Sequence, residues 1–140
     1  MTARTERNKE LIEELTEAWN ARDRERMGAT YADEIRVHGA DEVRTRTEML
    51  DAEWGHFDAF PDVEATTEHL VAEDDLVVVR WAVTGTHEGE LRGIEPTGRE
   101  VEYEEWAMYR IEDGEITEMW AQADALGVFE QLGVVDLPSG

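Results

Sequence analysis

Between Arg4 and Ala21 the apolar residues Leu11, Ile12, Leu15, Ala18 and Trp19 return at helical spacing among charged ones, which predicts an amphipathic helix. Asp23 is placed to cap a short second helix, with Met27 and Tyr31 four apart, and the extended stretch Ile35 to His38 then ends at Gly39. A third helix fits Thr47 to Phe60, where Leu50, Trp54 and Phe57 share a face and Pro61 sets the end. Beyond Pro61 the period changes from helical to alternating. Val63 to Glu73 and the Val-rich Leu76 to His87 read as strands joined at Asp74-Asp75. A loop containing Gly89, Gly93, Pro96 and Gly98 leads to a strand from about Arg99 to Arg110, and Glu112-Asp113-Gly114 turns the chain into a last strand, Glu115 to Asp124. Ala125, Leu126, Val128, Phe129 and Leu132 can cover one face of a short final helix. Helices followed by long antiparallel strands predict one α+β domain over residues 1–140, its curved sheet closing over the helices into a cone. A short tail runs from Asp136 to Gly140, and no repeat, low-complexity tract or linker interrupts the chain.

The register of the last hairpin decides which side chains meet. A two-residue Asp113-Gly114 turn sets Ala107 opposite Trp120 and Tyr103 opposite Asp124, whereas a three-residue loop with a glycine bulge sets Trp106 opposite Trp120 and Glu102 opposite Asp124. The second is favoured here, because it adds Trp106 and Met108 to the face of Trp120. Glu118, Trp120, Gln122 and Asp124 alternate on one face of the last strand, so Trp120 and Gln122 can line a pocket around Asp124. Asp124 is then either the cap of the final helix or an acid–base group whose pKa an apolar setting raises.

Charge changes the picture more than composition does. Of 140 residues 41% are hydrophobic and five are Trp, enough for a packed core without disulfides or metal, and there is no cysteine. The net charge, however, is −22, with 35 acidic residues against 13 basic ones of which only Lys9 is a lysine. Such a chain repels nucleic acid and anionic lipid, so neither is an expected partner. No apolar run approaches the length of a membrane span, and the expectation is a soluble, cytoplasmic protein. Self-repulsion of this size is screened at molar salt, which points to a halophilic setting; a merely acidic mesophilic protein is the alternative.

The run Gly85-Thr86-His87-x-Gly89, then Gly93-Ile94-x-Pro96-Thr97-Gly98-Arg99, then Arg110-x-x-x-Gly114-x-Ile116-x-Glu118-x-Trp120-x-x-x-Asp124, with Gly127 and Gln131-Leu132-Gly133, resembles the SnoaL-like ester cyclases (polyketide cyclases) over nearly the whole chain. The resemblance implies a nuclear-transport-factor-2-like cone, with three N-terminal helices on a curved, mostly antiparallel sheet and a short C-terminal helix. It also implies a homodimer, no metal and no organic cofactor. It further implies intramolecular aldol closure of an ester, with Asp124 as the acid–base group and His87 as a donor near the developing enolate, a place that Gln122 could also fill from the strand of Asp124. Characterised polyketide cyclases carry a histidine on the penultimate strand, and Val101 to Arg110 has none, offering Tyr103, Glu105, Trp106, Met108 and Tyr109 instead.

Each candidate also has a structural reading. His87 precedes a glycine turn, where a histidine can simply bond a loop in place, and Trp106, Trp120 and Met108 can be plain core. Trp54 belongs either to the helix–sheet core or to a ligand surface. His38, His56 and His69 lack metal-binding spacing. The loop from Gly93 to Gly98 is a lid or a tight connection, and it lacks the following helix that phosphate binding requires. Three functions therefore stand. The first is a cofactor-independent enzyme moving a proton next to the carbonyl of a small apolar molecule, by cyclisation, isomerisation or dehydration. The others are a dimeric module that binds such a ligand unchanged, and a sheet-mediated assembly domain with a filled cone. Epoxide hydrolysis ranks below these, because no compact Asp-Arg-Asp signature appears.

Overall fold

The computed structural model describes residues 2–39, 41–136 and 138. Most of the tail expected from Asp136 to Gly140 lies outside them.

Helix α1 (Ala3–Asn20) starts at a capping box in which Thr2 and Thr5 exchange side-chain and backbone hydrogen bonds, and it buries Ile12, Leu15 and Ala18. Asp23 caps α2 (Arg24–Gly28) as expected, its carboxylate accepting from the Arg26 N–H at 3.1 Å. Tyr31, expected one turn further along that helix, instead opens β1 (Tyr31–His38). Gly39 then takes a positive φ of 97°. A short edge strand absent from the sequence reading, β2 (Glu42–Thr45), pairs antiparallel with β1. Helix α3 (Arg46–Ala59) begins at a second capping box, Thr45 with Glu48, and ends before Pro61.

The remaining strands are β3 (Glu64–Glu73), β4 (Leu76–Thr86), β5 (Glu100–Glu112) and β6 (Glu115–Ala123), and α4 (Ala125–Gln131) follows. Among the described residues they form one curved six-stranded sheet in the order β2-β1-β6-β5-β4-β3, antiparallel except where β1 runs parallel to β6. The inner face carries Val77, Val79, Trp81 and Val83 from β4 with Val101, Ala107, Tyr109 and Ile111 from β5, all buried against the helices. This is the expected α+β cone.

The β5–β6 hairpin corrects the favoured register. Asp113 and Gly114 both have positive φ, 51° and 78°, and Glu112 pairs with Glu115, so the turn has two residues rather than three. A bulge between Arg110 and Ile111 then skips Thr117 and shifts the pairing, setting Met108 opposite Trp120 and Trp106 opposite Gln122. The bulge has a large consequence. Without it Trp120 would lie opposite Ala107 on the core side; with it Trp120 joins Trp106 and Met108 on the sheet face turned away from the helices, and Met119 takes the place opposite buried Tyr109.

Candidate functional site

A cavity of about 220 Å³ lies between the inner sheet face and helices α1 and α3. Helical and strand periodicity together build its polar end. Glu53 and His56 are one turn apart on α3 and so project together, while Tyr103 and Glu105 are two apart on β5 and share the inner face. Trp19 enters from α1, Tyr31 from β1, Trp81 and Val83 from β4, and Tyr109 from further along β5.

Hydrogen bonds fix this wall. The Trp19 indole N–H donates to Glu53 Oε2 at 2.6 Å, and its ring packs on Phe57 with centroids 4.9 Å apart. The Tyr103 hydroxyl lies 3.1 Å from His56 Nε2, and the Trp81 N–H donates to Thr16 Oγ1 at 3.1 Å. Burial sets the protonation states. It pushes the Glu105 carboxyl up to about 7, with the nearby Glu53 charge adding to the effect, and it raises Glu53 in turn against the opposing bond from Trp19. His56 is held below its ordinary value by burial and by Arg22, so it is neutral at pH 7. Burial raises Tyr103, Tyr31 and Tyr109, which keep their protons as donors. The cavity therefore combines acid–base carboxyl groups, a neutral imidazole and protonated phenols, with Glu53, His56, Tyr103 and Glu105 half-buried. A proton can be taken from one atom of a ligand and returned to another there.

The residues singled out from the sequence lie elsewhere. Asp124 caps α4, its Oδ1 accepting from the Gly127 N–H at 2.9 Å, and it is exposed. It borders a shallow depression that shares Val83 and Tyr103 with the cavity, so Tyr103 stands between the two. His87 is fully buried; its Nδ1 accepts from the Thr97 N–H at 3.2 Å and contacts the Thr97 hydroxyl at 3.1 Å, tying down the loop before β5. That bond leaves the neutral ring's proton on Nε2, which has no hydrogen-bond partner among the described residues and sits beside the Phe60 ring. Trp120 stacks on His38 at 4.4 Å, Trp106 is 48% exposed under the Arg80 guanidinium, and Met108 and Gln122 share their face. Trp54 packs edge-on against Phe57 and carries Arg24 over its ring. None of these five lines the cavity.

Glu53 and His56 carried no site role in the sequence, and Glu105 stood there only among the residues that the penultimate strand offers in place of the family's histidine. The signal was present for Glu105, the one acid in an inward stripe otherwise made of Val101, Tyr103, Ala107, Tyr109 and Ile111. Among the described residues no group of three or more His, Asp or Glu side chains is placed to hold a metal ion, and no helix is long and apolar enough to cross a membrane.

Known proteins of similar sequence and shape share this architecture. The chain is 30% identical to AclR from Streptomyces galilaeus, a proposed hydroxylase, covering 96% of this chain and 90% of that one with a TM-score of 0.85. It is 33% identical to IdmH from Streptomyces antibioticus, a proposed polyketide cyclase, over 91% of this chain and 99% of that one, TM-score 0.80. TsrD from Streptomyces laurentii is 28% identical over 90% of this chain and 94% of its own, TM-score 0.82. No curated protein matches the chain by sequence. Residues 9–132 match the family profile of the SnoaL-like polyketide cyclases, and the chain belongs to that family.

Proposed function

We propose that the protein is a cofactor-independent enzyme that moves a proton next to a carbonyl group, in the manner of an aldol-type ring closure or an isomerisation. The observation that carries this reading is Glu105, whose carboxyl group burial brings to about 7 inside a cavity that also holds Glu53 and Tyr103. An ordinary carboxylate is too weak a base for a proton next to a carbonyl, and this shift brings proton affinity close to the working pH. Glu105 as carboxylate takes the proton, and the C–H electron pair becomes an enolate whose oxygen the Tyr103 hydroxyl bonds. Attack of the enolate carbon on a second carbonyl forms the new C–C bond. The resulting alkoxide takes back the proton that Glu105 removed, with the Glu53 carboxyl group beside it in the same cavity. Asp124, across Tyr103 from the cavity, is the second candidate for the base.

The test is solvent deuterium incorporation at the α-carbon of a panel of small ketones and esters, followed by proton NMR. Wild type and Asp124→Asn should exchange a responsive probe alike, whereas Glu105→Gln should slow exchange by at least ~100-fold, the usual weight of a general base. The opposite ranking assigns the base to Asp124, and exchange no faster than buffer across the panel favours the binding-module reading.

The same chain also carries a surface suited to a second copy. The outer sheet face exposes Trp106 and Val71 beside half-buried Val78, Met108 and Trp120, an apolar patch on an otherwise acidic molecule. A homodimer across this face is the proposed assembly. Sedimentation should then give a dimer for wild type and a monomer for Trp106→Glu; a wild-type monomer at high concentration contradicts it.

A further inference from the structure

The charge inside the cavity runs against the rest of the molecule's pairing. Elsewhere arginines meet acids: Arg26 reaches Glu14 at 2.7 Å, Arg24 reaches Asp51 at 2.6 Å, and Arg110 bridges Asp75 and Glu118 at 2.8 Å each. Glu53 and Glu105 instead face a cavity with no arginine or lysine in its lining. The one hydrogen bond to the Glu53 carboxyl comes from Trp19, and the Glu105 carboxyl has no hydrogen-bond or ion-pair partner among the described residues. The other walls are rings: Trp19, Trp81, Tyr31, Tyr103 and Tyr109. Aromatic faces attract a cation through their negative quadrupole, most strongly where water is excluded, and carboxylates supply its counter-charge. Size narrows the ligand further. About 220 Å³ lies below the ~300 Å³ at which cavities begin to accept drug-sized molecules.

We infer that this cavity binds a compact molecule carrying a protonated or quaternary amine, held against the aromatic wall and paired with Glu53 and Glu105. That the same molecule presents a carbonyl to the acid–base groups rests on the function proposed above; the amine site does not. A small amino ketone or amino ester fits both, and a polycyclic neutral ester fits neither the volume nor the charge.

Proton linkage follows from the groups that face the cation. These are Glu53 and His56 from α3, Tyr31 from β1, and Tyr103, Glu105 and Tyr109 from β5, with Arg22 acting on His56 and Arg44 on Glu53 from outside the lining. A cation favours the ionised form of the two carboxyl groups, while burial and Arg22 hold His56 toward its neutral form and the phenols keep their protons. Binding therefore tightens as pH rises from 5 to 8.

Choline and its neutral isostere 3,3-dimethylbutan-1-ol make the test, because neither carries a carbonyl and the result is independent of catalysis. Each is titrated into the whole protein at fixed 1 M KCl, with the indole N–H resonances of Trp19 and Trp81 as readout. Choline should shift both resonances saturably, bind at least tenfold more tightly than the isostere at pH 8, and lose most of that margin at pH 5 and in Glu105→Gln. Equal binding of the two, or choline shifts absent from Trp19 and Trp81, overturns the inference. Choline binding without deuterium exchange of any amino ketone leaves the amine site standing and removes the proposed chemistry. Exchange of a neutral ketone without choline binding does the reverse.

Discussion

Single side chains decide the chemistry here through their surroundings. Folding raises the Glu105 carboxyl from an ordinary value of about 4.5 to about 7, so the folded chain holds a proton that the unfolded chain releases across that window. Stability is therefore fully present below about 4.5 and falls as pH rises through about 7, by roughly 3 kcal/mol. Glu105→Gln removes that loss. Chemical denaturation should show the variant gaining about 3 kcal/mol over wild type between pH 4.5 and pH 8, and an unchanged difference would mean a solvated carboxyl group. The sequence holds this residue in plain view, since an acid at the parity of Val101, Ala107 and Ile111 must be buried or strained. Asp124 stands out in the sequence through its alternation with Trp120 and Gln122 as well as through the family resemblance, and local sequence cannot show that those two side chains turn away from the cone. His87 shows the same limit, its role as a loop tie depending on Thr97, ten residues further on.

Elements were easier to read than their facing. The helical periods of α1 and α3 and the alternation of β3 to β6 follow from apolar spacing alone, and the Asp23 cap and the Pro61 stop hold. The start of α3 was also legible in Thr45-x-x-Glu48, a capping-box pattern that moves the helix start ahead of the Thr47 expected from apolar spacing. What no local pattern showed was the bulge that skips Thr117, because a bulge is set by how two strands pack rather than by either strand's composition. It places Trp120 and Gln122 outside the cone. Asp124 sits at the junction this creates, as the first turn's hydrogen-bond acceptor for α4. Asp124→Ala should destabilise the fold by about 1 kcal/mol in thermal or urea unfolding, whereas Asp124→Asn keeps the cap and should stay within a few tenths. Equal losses from both would show that the carboxylate charge, not the cap, matters there.

On the scale of the whole molecule, charge and shape have separate tasks. A net charge of −22 says nothing about which fold forms, but repulsion among 35 acids opposes a compact state and weakens progressively as ionic strength rises. We propose a salt-rich working environment, with a melting temperature that climbs steadily from dilute buffer to molar KCl. A flat or falling curve would contradict it. The α+β cone itself was legible from the order of periodic segments, and the family from the glycine-rich motifs between His87 and Gly133. The cavity was not, since it is assembled from α1, α3, β1 and the inner faces of β3, β4 and β5, residues up to about ninety positions apart whose convergence only the curved sheet produces.

The central claim is that the cone encloses an acid–base group tuned by burial. A carbon-detected NMR titration of the Glu105 carboxyl group in molar KCl, assigned against Glu105→Gln, tests it most directly. An apparent midpoint near 7 is the result this account predicts, with a second, linked transition from Glu53. A midpoint at the ordinary glutamate value of about 4.5 would mean a solvated carboxylate and would contradict the account.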